Sequence, residues 1–157
     1  PRRQINIESL NVSASSIQGV HKYTITAWVD AETIQKVVKQ IEKKIEVIQA
    51  HYFTDDEIFY HEIALYKLST PKLESDSYIS KVIRRYGASI VEVNPVYSIV
   101  KKTGMSDEIT ALNSELQSLG CVLQFVRSGR VAITKSCVER VNEYLDERAE
   151  KHRRCIQ

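Results

Sequence analysis

Between Tyr60 and Val126 the hydrophobic period switches in the order strand, helix, strand, strand, helix, strand. "YHEIALYKL" (60–68) is a mostly apolar strand. Pro71 in the following "STPKLESDS" cannot sit in a helix interior, so that stretch is a loop and helix start. Ile79, Val82, Ile83 and Tyr86 then recur at helical spacing, and Gly87 ends that helix. "ASIVEV" and "YSIVKK" are two strands joined around Asn94-Pro95. Ser106 is expected to cap a helix whose face is Ile109, Leu112, Leu116 and Leu119, and "CVLQFVRS" is a strand after it. This order is the split βαβ arrangement: an antiparallel four-stranded sheet with two helices on one face. Its other face is free to meet another sheet or domain.

The leading residues repeat the later part of that order. "INIESLNVS" (5–13) favours extended structure and "SASSIQG" (13–19) is a hairpin loop. "VHKYTITAWV" (20–29) alternates, with Tyr23, Ile25, Ala27 and Val29 on one side and Lys22, Thr24, Thr26 and Trp28 on the other. Asp30 sits where an N-cap belongs, ahead of a helical stripe of Ile34, Val37, Val38, Ile41 and Ile45. "IEVIQAHY" (45–52) is predicted to be a third strand. "RRYGASIVEV" (84–93) and "RRQINIESL" (2–10) both set an Arg-Arg pair ahead of a turn and a strand. The fold class expected is therefore α+β, two tandem ferredoxin-like (βαββαβ) domains, the first lacking its opening strand and helix. Counting from Tyr60 to Arg84, about 24 residues would stand ahead of Pro1. Domains are expected at 1–53 and 59–157, with "FTDDEIF" (53–59) as an acidic linker. "RVAIT" is a short further strand and "SCVERVNEYLDERAEKHRR" a final amphipathic helix.

Several function classes are excluded by what the chain lacks. A net charge of +2 gives no general attraction for nucleic acid or anionic lipid. The aromatic-rich signature of RNA-binding ferredoxin-like domains is missing, so Trp28 is assigned to a domain or dimer surface, and no nucleic-acid or membrane partner is expected. With hydrophobic residues at 43% and charged at 27%, the chain is globular, and no apolar run approaches the roughly 20 residues that span a bilayer. Cys121, Cys137 and Cys155 are odd in number and without C-x-x-C spacing, which fits reduced thiols in the cytoplasm. His21, His51 and His61 fall on different strands, so no metal is expected. Asp55, Asp56 and Glu57 lack apolar neighbours that would make one a catalytic acid, and no Gly-rich phosphate loop exists, so neither an enzyme nor a cofactor is expected. "RSGR" (127–130) has two open assignments: a polar hairpin turn with Gly129 at positive φ, or a partner-contact surface carried by Arg127 and Arg130.

"INIESLNVS", "HKYTITAWV", "QIEKKIEVIQAHY", "EIALYKL" and "QFVRSGRVAI", in that order, resemble the regulatory (small) subunit of acetolactate synthase, also called acetohydroxyacid synthase. The resemblance runs from Arg2 to about Thr134. It implies that the first domain is an ACT domain, an amino-acid-binding ferredoxin-like module that dimerises through its sheets. It also implies a partner, the thiamine-diphosphate-dependent catalytic subunit, which the regulatory subunit activates and through which valine exerts feedback inhibition in branched-chain amino acid biosynthesis. The C-terminal domain and final helix would contact that subunit. For the valine site the resemblance assigns Asn6, whose amide both donates and accepts, flanked by Ile5 and Ile7 as apolar wall. By its residues alone, an Asn at a strand start is a turn residue. The family's Asn- and Gly-bearing loop after the first strand falls ahead of Pro1, so valine binding by these 157 residues alone is expected to be weak. The alternative of another class is a ferredoxin-like adaptor or oligomerisation module without a small ligand.

Overall fold

A computed structural model describes residues 5–136. In chain order, β1 (Asn6–Ala14) and β2 (His21–Trp28) pair antiparallel as a two-stranded sheet, followed by α1 (Ala31–Glu42) and a single 3-10 turn at Asp55–Glu57. Then come β3 (Ile58–Ser69), α2 (Thr70–Ser75), α3 (Ser77–Arg85), β4 (Ser89–Val93), β5 (Tyr97–Gly104), α4 (Ser106–Ser118), β6 (Val122–Arg127) and β7 (Val131–Thr134). The described residues fall in two compact units. One holds those up to Trp28 together with Tyr60–Ala132; the other holds Val29–Phe59 with those from Ile133.

β3 organises the first of these units. Tyr60, Glu62, Ala64, Tyr66 and Leu68 point inward and are buried, while the residues between them face away. β5 pairs with one edge of β3 and β6 with the other, and β4 lies outside β5, giving the order β4-β5-β3-β6. The first strand in sequence is therefore central, which is the ferredoxin-like sheet. The core forms on one face, where Ala64, Tyr66, Leu68 and Val100 meet Ile79, Val82 and Ile83 of α3 and Ile109, Leu112 and Leu116 of α4. Those helical positions lie three and four apart, as one buried stripe requires. Asp76 starts α3 by accepting from Tyr78 N at 2.9 Å, and Gly87, at φ +62, follows its end. Pro71 occupies the first turn of α2, where a missing N–H costs nothing.

The fold class read from the residues holds: α+β, ferredoxin-like. Five local expectations change. Residues 45–52 form turns and irregular structure, not a strand. In the order seen for the second sheet, the fourth strand pairs only with the central one. Among the described residues β1 and β2 have no such central strand beside them, so 45–52 has no strand to pair with. α1 stops at Glu42, and Ile45 is 98% exposed rather than part of the helical stripe. Residues 53–59 are more ordered than a linker: Thr54 and Glu57 make a reciprocal capping box around the 3-10 turn, and β3 starts at Ile58. Ser106 is the first residue of α4 rather than its cap, because its hydroxyl donates to Glu62 Oε1 at 2.6 Å.

The fifth change concerns residues 127–130. β6 and β7 both pair with β3, so the segment between them is no hairpin turn. It interrupts one long run beside a 12-residue strand. Ser128 stays on the ladder, donating its N–H to Ile63 O at 2.9 Å while its Oγ accepts from Ile63 N at 3.0 Å. Gly129, at φ +77, lets the chain step aside before β7. The expected terminal helix lies outside the described residues.

Candidate functional site

The candidate ligand residues sit where β1 begins. Asn6 pairs with Trp28 and Ile7 with Ala27; the register then shifts before Ser9, so that Leu10 faces Ile25 and Val12 faces Tyr23. That bulge at Glu8 has a clear effect. Without it, the two-residue period would put Ile7 and Leu10 on opposite sides. With it, Ile7, Leu10 and Val12 join Tyr23, Ile25 and Ala27 on one apolar face, and its large side chains are all exposed. Asn6 and Trp28 share the opposite face with Ser9, Thr24 and Thr26. Asn6 and Ile7 thus point to opposite sides of the ribbon, and Ile5, half-buried, precedes it.

The polar face is backed by the segment containing the candidate partner-contact residues. Ser9 Cβ lies 3.0 Å from where a Cβ on Gly129 would stand, and Lys22 Nζ donates to Ala132 O at 3.0 Å. The structure thereby brings the "NIESL" block and the "RSGR" segment together. Ser9 Oγ is buried there with no hydrogen-bond partner.

Arg127 and Arg130 are engaged within the chain. Arg127 Nε donates to Glu62 Oε2 at 2.7 Å and its Nη2 lies 2.5 Å from the same oxygen. Arg130 stacks its guanidinium 4.1 Å from the centre of the Tyr60 ring. Glu62, which sequence reasoning passed over, is the hub: a buried carboxylate reached from β6 by Arg127 and from the start of α4 by Ser106. A signal for it existed. Glu62 is the one acid on the inward register of β3, between Tyr60 and Ala64, where an unpaired charge is costly.

Other titratable groups are structural. Burial pushes the Tyr66 phenol up to about 12, and its hydroxyl donates to Ile109 O at 3.0 Å. Burial likewise raises the Cys121 thiol. The carboxyl of Glu115 is held below its usual range chiefly by its hydrogen bond from Arg85, an ion pair that ties α4 to α3. Among the described residues no group of three metal-ligating side chains converges, and no helix is long and apolar enough to cross a membrane.

Known proteins resemble this chain along most of its length. A family profile described as the small subunit of acetolactate synthase matches residues 61–136, which begins within β3 and ends just beyond β7. The acetolactate synthase small subunit of Bacillus subtilis is 29% identical over 143 residues, covering 90% of this chain and 81% of that protein. Its counterpart from Aquifex aeolicus is 29% identical over 140 residues, 88% and 72% of the two chains. The crystal structure of the Thermotoga maritima acetolactate synthase small subunit superposes with a TM-score of 0.75 at 26% identity, covering 87% of this chain and 84% of that one. Over most of its length the chain is similar to acetolactate synthase small subunits. The resemblance noted from the sequence is borne out.

Proposed function

We propose that this chain is a non-catalytic regulatory subunit that associates with the thiamine-diphosphate-dependent catalytic subunit of acetolactate synthase, raises its turnover and confers feedback inhibition by valine. The observation that carries this is the likeness to small subunits over nine-tenths of the chain. The exposed apolar face of Ile7, Leu10, Val12, Tyr23 and Ile25 supports it, since a patch of this kind on one ribbon fits an assembly surface. In this proposal the ACT-type domain spans 1–53 and the second domain 59–157. The ACT-type sheets form a homodimer in the cytoplasm, and Asn6 holds the effector's charged groups with Ile5 as apolar wall, while Ile7, foreseen as wall, lies on the opposite, assembly side of the ribbon. An effector between such domains acts only by binding one arrangement of the dimer better than another. Mixing the chain with purified acetolactate synthase catalytic subunit is expected to raise turnover, and valine is expected to lower it again in a protein that also carries the family's Asn- and Gly-bearing loop. Unchanged turnover at saturating chain would overturn the assignment. Loss of valine inhibition, with activation kept, in Asn6→Ala would support the place of Asn6.

A further inference from the structure

The face of the five-stranded sheet away from the helices carries a second constellation, independent of the β1 site. We infer that it binds a free aliphatic α-amino acid in a shallow pocket of about 230 Å³ over β3, β4, β5 and β6. One cross-strand row builds it. Glu92 of β4 pairs with Ile99 of β5, Ile99 pairs with Lys67 of β3, and Lys67 pairs with Gln124 of β6. The row reads anion, apolar, cation, amide. Two strand spacings put the Glu92 and Lys67 backbones about 10 Å apart. No ion pair joins the two side chains, whereas four other pairs do form among the described residues.

Each charged group is held in place. A register shift between Ile90 and Glu92 re-aims Glu92 onto the open face, the use to which bulges are put beside binding sites. Asn94 Oδ1 accepts from Val96 N at 2.9 Å and Tyr97 N at 2.8 Å, fixing the turn that presents Tyr97. The Tyr97 hydroxyl donates to Glu92 Oε1 at 3.1 Å, and the Lys67 ammonium lies 4.4 Å from the centre of the same ring. The tyrosine keeps the charges oriented and apart. A zwitterion laid over Ile99 satisfies both, its carboxylate on Lys67 and its ammonium on Glu92. Leu65 and Val126, paired with each other beside the row, supply a surface for a branched aliphatic side chain.

The test uses the full chain, isotope-labelled, titrated with L-leucine and followed by amide NMR shifts. Saturable shifts at Lys67, Ile99 and Val126 are expected, with an affinity weakened at least tenfold by Lys67→Met. Glu92→Gln should weaken L-leucine while leaving 4-methylpentanoate, which lacks the amine, unchanged. Asn6→Ala should leave these shifts intact, which separates this site from the one proposed on β1. No saturable shift there at about 10 mM ligand, an affinity indifferent to Lys67→Met, or concentration-dependent shifts of the same amides without ligand (two copies covering the face) would each overturn the inference. None of these outcomes depends on activation of a catalytic subunit.

Discussion

Replacing Arg127 by Met separates two roles for one side chain. The guanidinium is bound to a buried carboxylate, Glu62, through Nε at 2.7 Å and Nη2 at 2.5 Å, and Ser106 supplies the carboxylate's other bond at 2.6 Å. Removing one partner of a buried pair strands the other charge and costs about 3–5 kcal/mol. Arg127 is 33% exposed, so water reaches the vacated position and the figure falls to about 2–3 kcal/mol. For a chain of this size that lowers Tm by roughly 5–10 °C. Urea and thermal unfolding of the full chain measure it. Arg127→Lys should recover part of the loss, since a point charge replaces a two-pronged donor. The double variant Arg127→Met with Glu62→Gln should be more stable than Arg127→Met alone, because the stranded charge is gone. If Arg127 acts only on a partner, unfolding stays within about 0.5 kcal/mol of the parent and association with the catalytic subunit alone weakens. That result, or a failure of Glu62→Gln to rescue, would refute the internal clamp.

Gly129→Ala meets both a left-handed backbone at φ +77 and Ser9 Cβ at 3.0 Å, whereas Gly19→Ala, at φ +80, meets nothing within 4 Å. Both should lose about 1–2 kcal/mol for the backbone, and Gly129→Ala more, by an amount that urea titration reads and that Ser9→Gly should reduce. Tyr66 is raised from 10 to about 12 in the folded chain, so the stability its neutral form contributes is complete below pH 10 and lost as pH rises through 12. Absorbance at alkaline pH should show one phenol titrating late, and Tyr66→Phe should flatten the stability profile above pH 10 at a cost of about 1 kcal/mol; a Tyr66 that titrates with the rest contradicts its burial. Cys121 is fully buried with its thiol raised, so in a Cys137→Ser, Cys155→Ser background it should react with a disulfide reagent only at the rate of unfolding; prompt labelling would contradict that placement.

What the residues revealed in advance, and what they hid, divides along local and non-local lines. The inward register of β3, the stripes of α3 and α4, the Asp30 cap with Thr33 N at 2.8 Å, and the glycine after α3 follow from periodicity and short-range hydrogen bonding, and all were legible. Residues 45–52 have the composition of a strand, but a strand exists only beside another, and pairing is not written in the segment itself. The same limit hid both bulges: Glu8 and Val91 are unremarkable in sequence, yet the register shifts there decide that Ile7 joins the apolar face and Glu92 the open one. Ser106 had the chemistry of a cap and was claimed instead by a carboxylate 44 positions away. Of the candidate site, the strand end with Asn6 was foreseen, while its closeness to the Gly129 segment was not, because that contact spans 120 residues.

The two sheets also differ in how completely each buries its apolar face, and that difference carries a functional consequence. The five-stranded sheet closes its core within the chain, with Ala64, Tyr66, Leu68, Val100, Leu112 and Leu116 shut off from water. The β1–β2 ribbon leaves Ile7, Leu10, Val12, Tyr23 and Ile25 roughly half-exposed. Covering five such side chains stabilises by on the order of 5 kcal/mol, taking half of the usual value for full burial of each. That is comparable to the whole stability of a modest domain. A ribbon of two strands gains little from its own hydrogen bonds, so its order depends on whatever covers that face. In the function proposed, an effector that alters the cover would act on the least self-sufficient part of the described residues, where a few kcal/mol of differential binding suffices to shift a population.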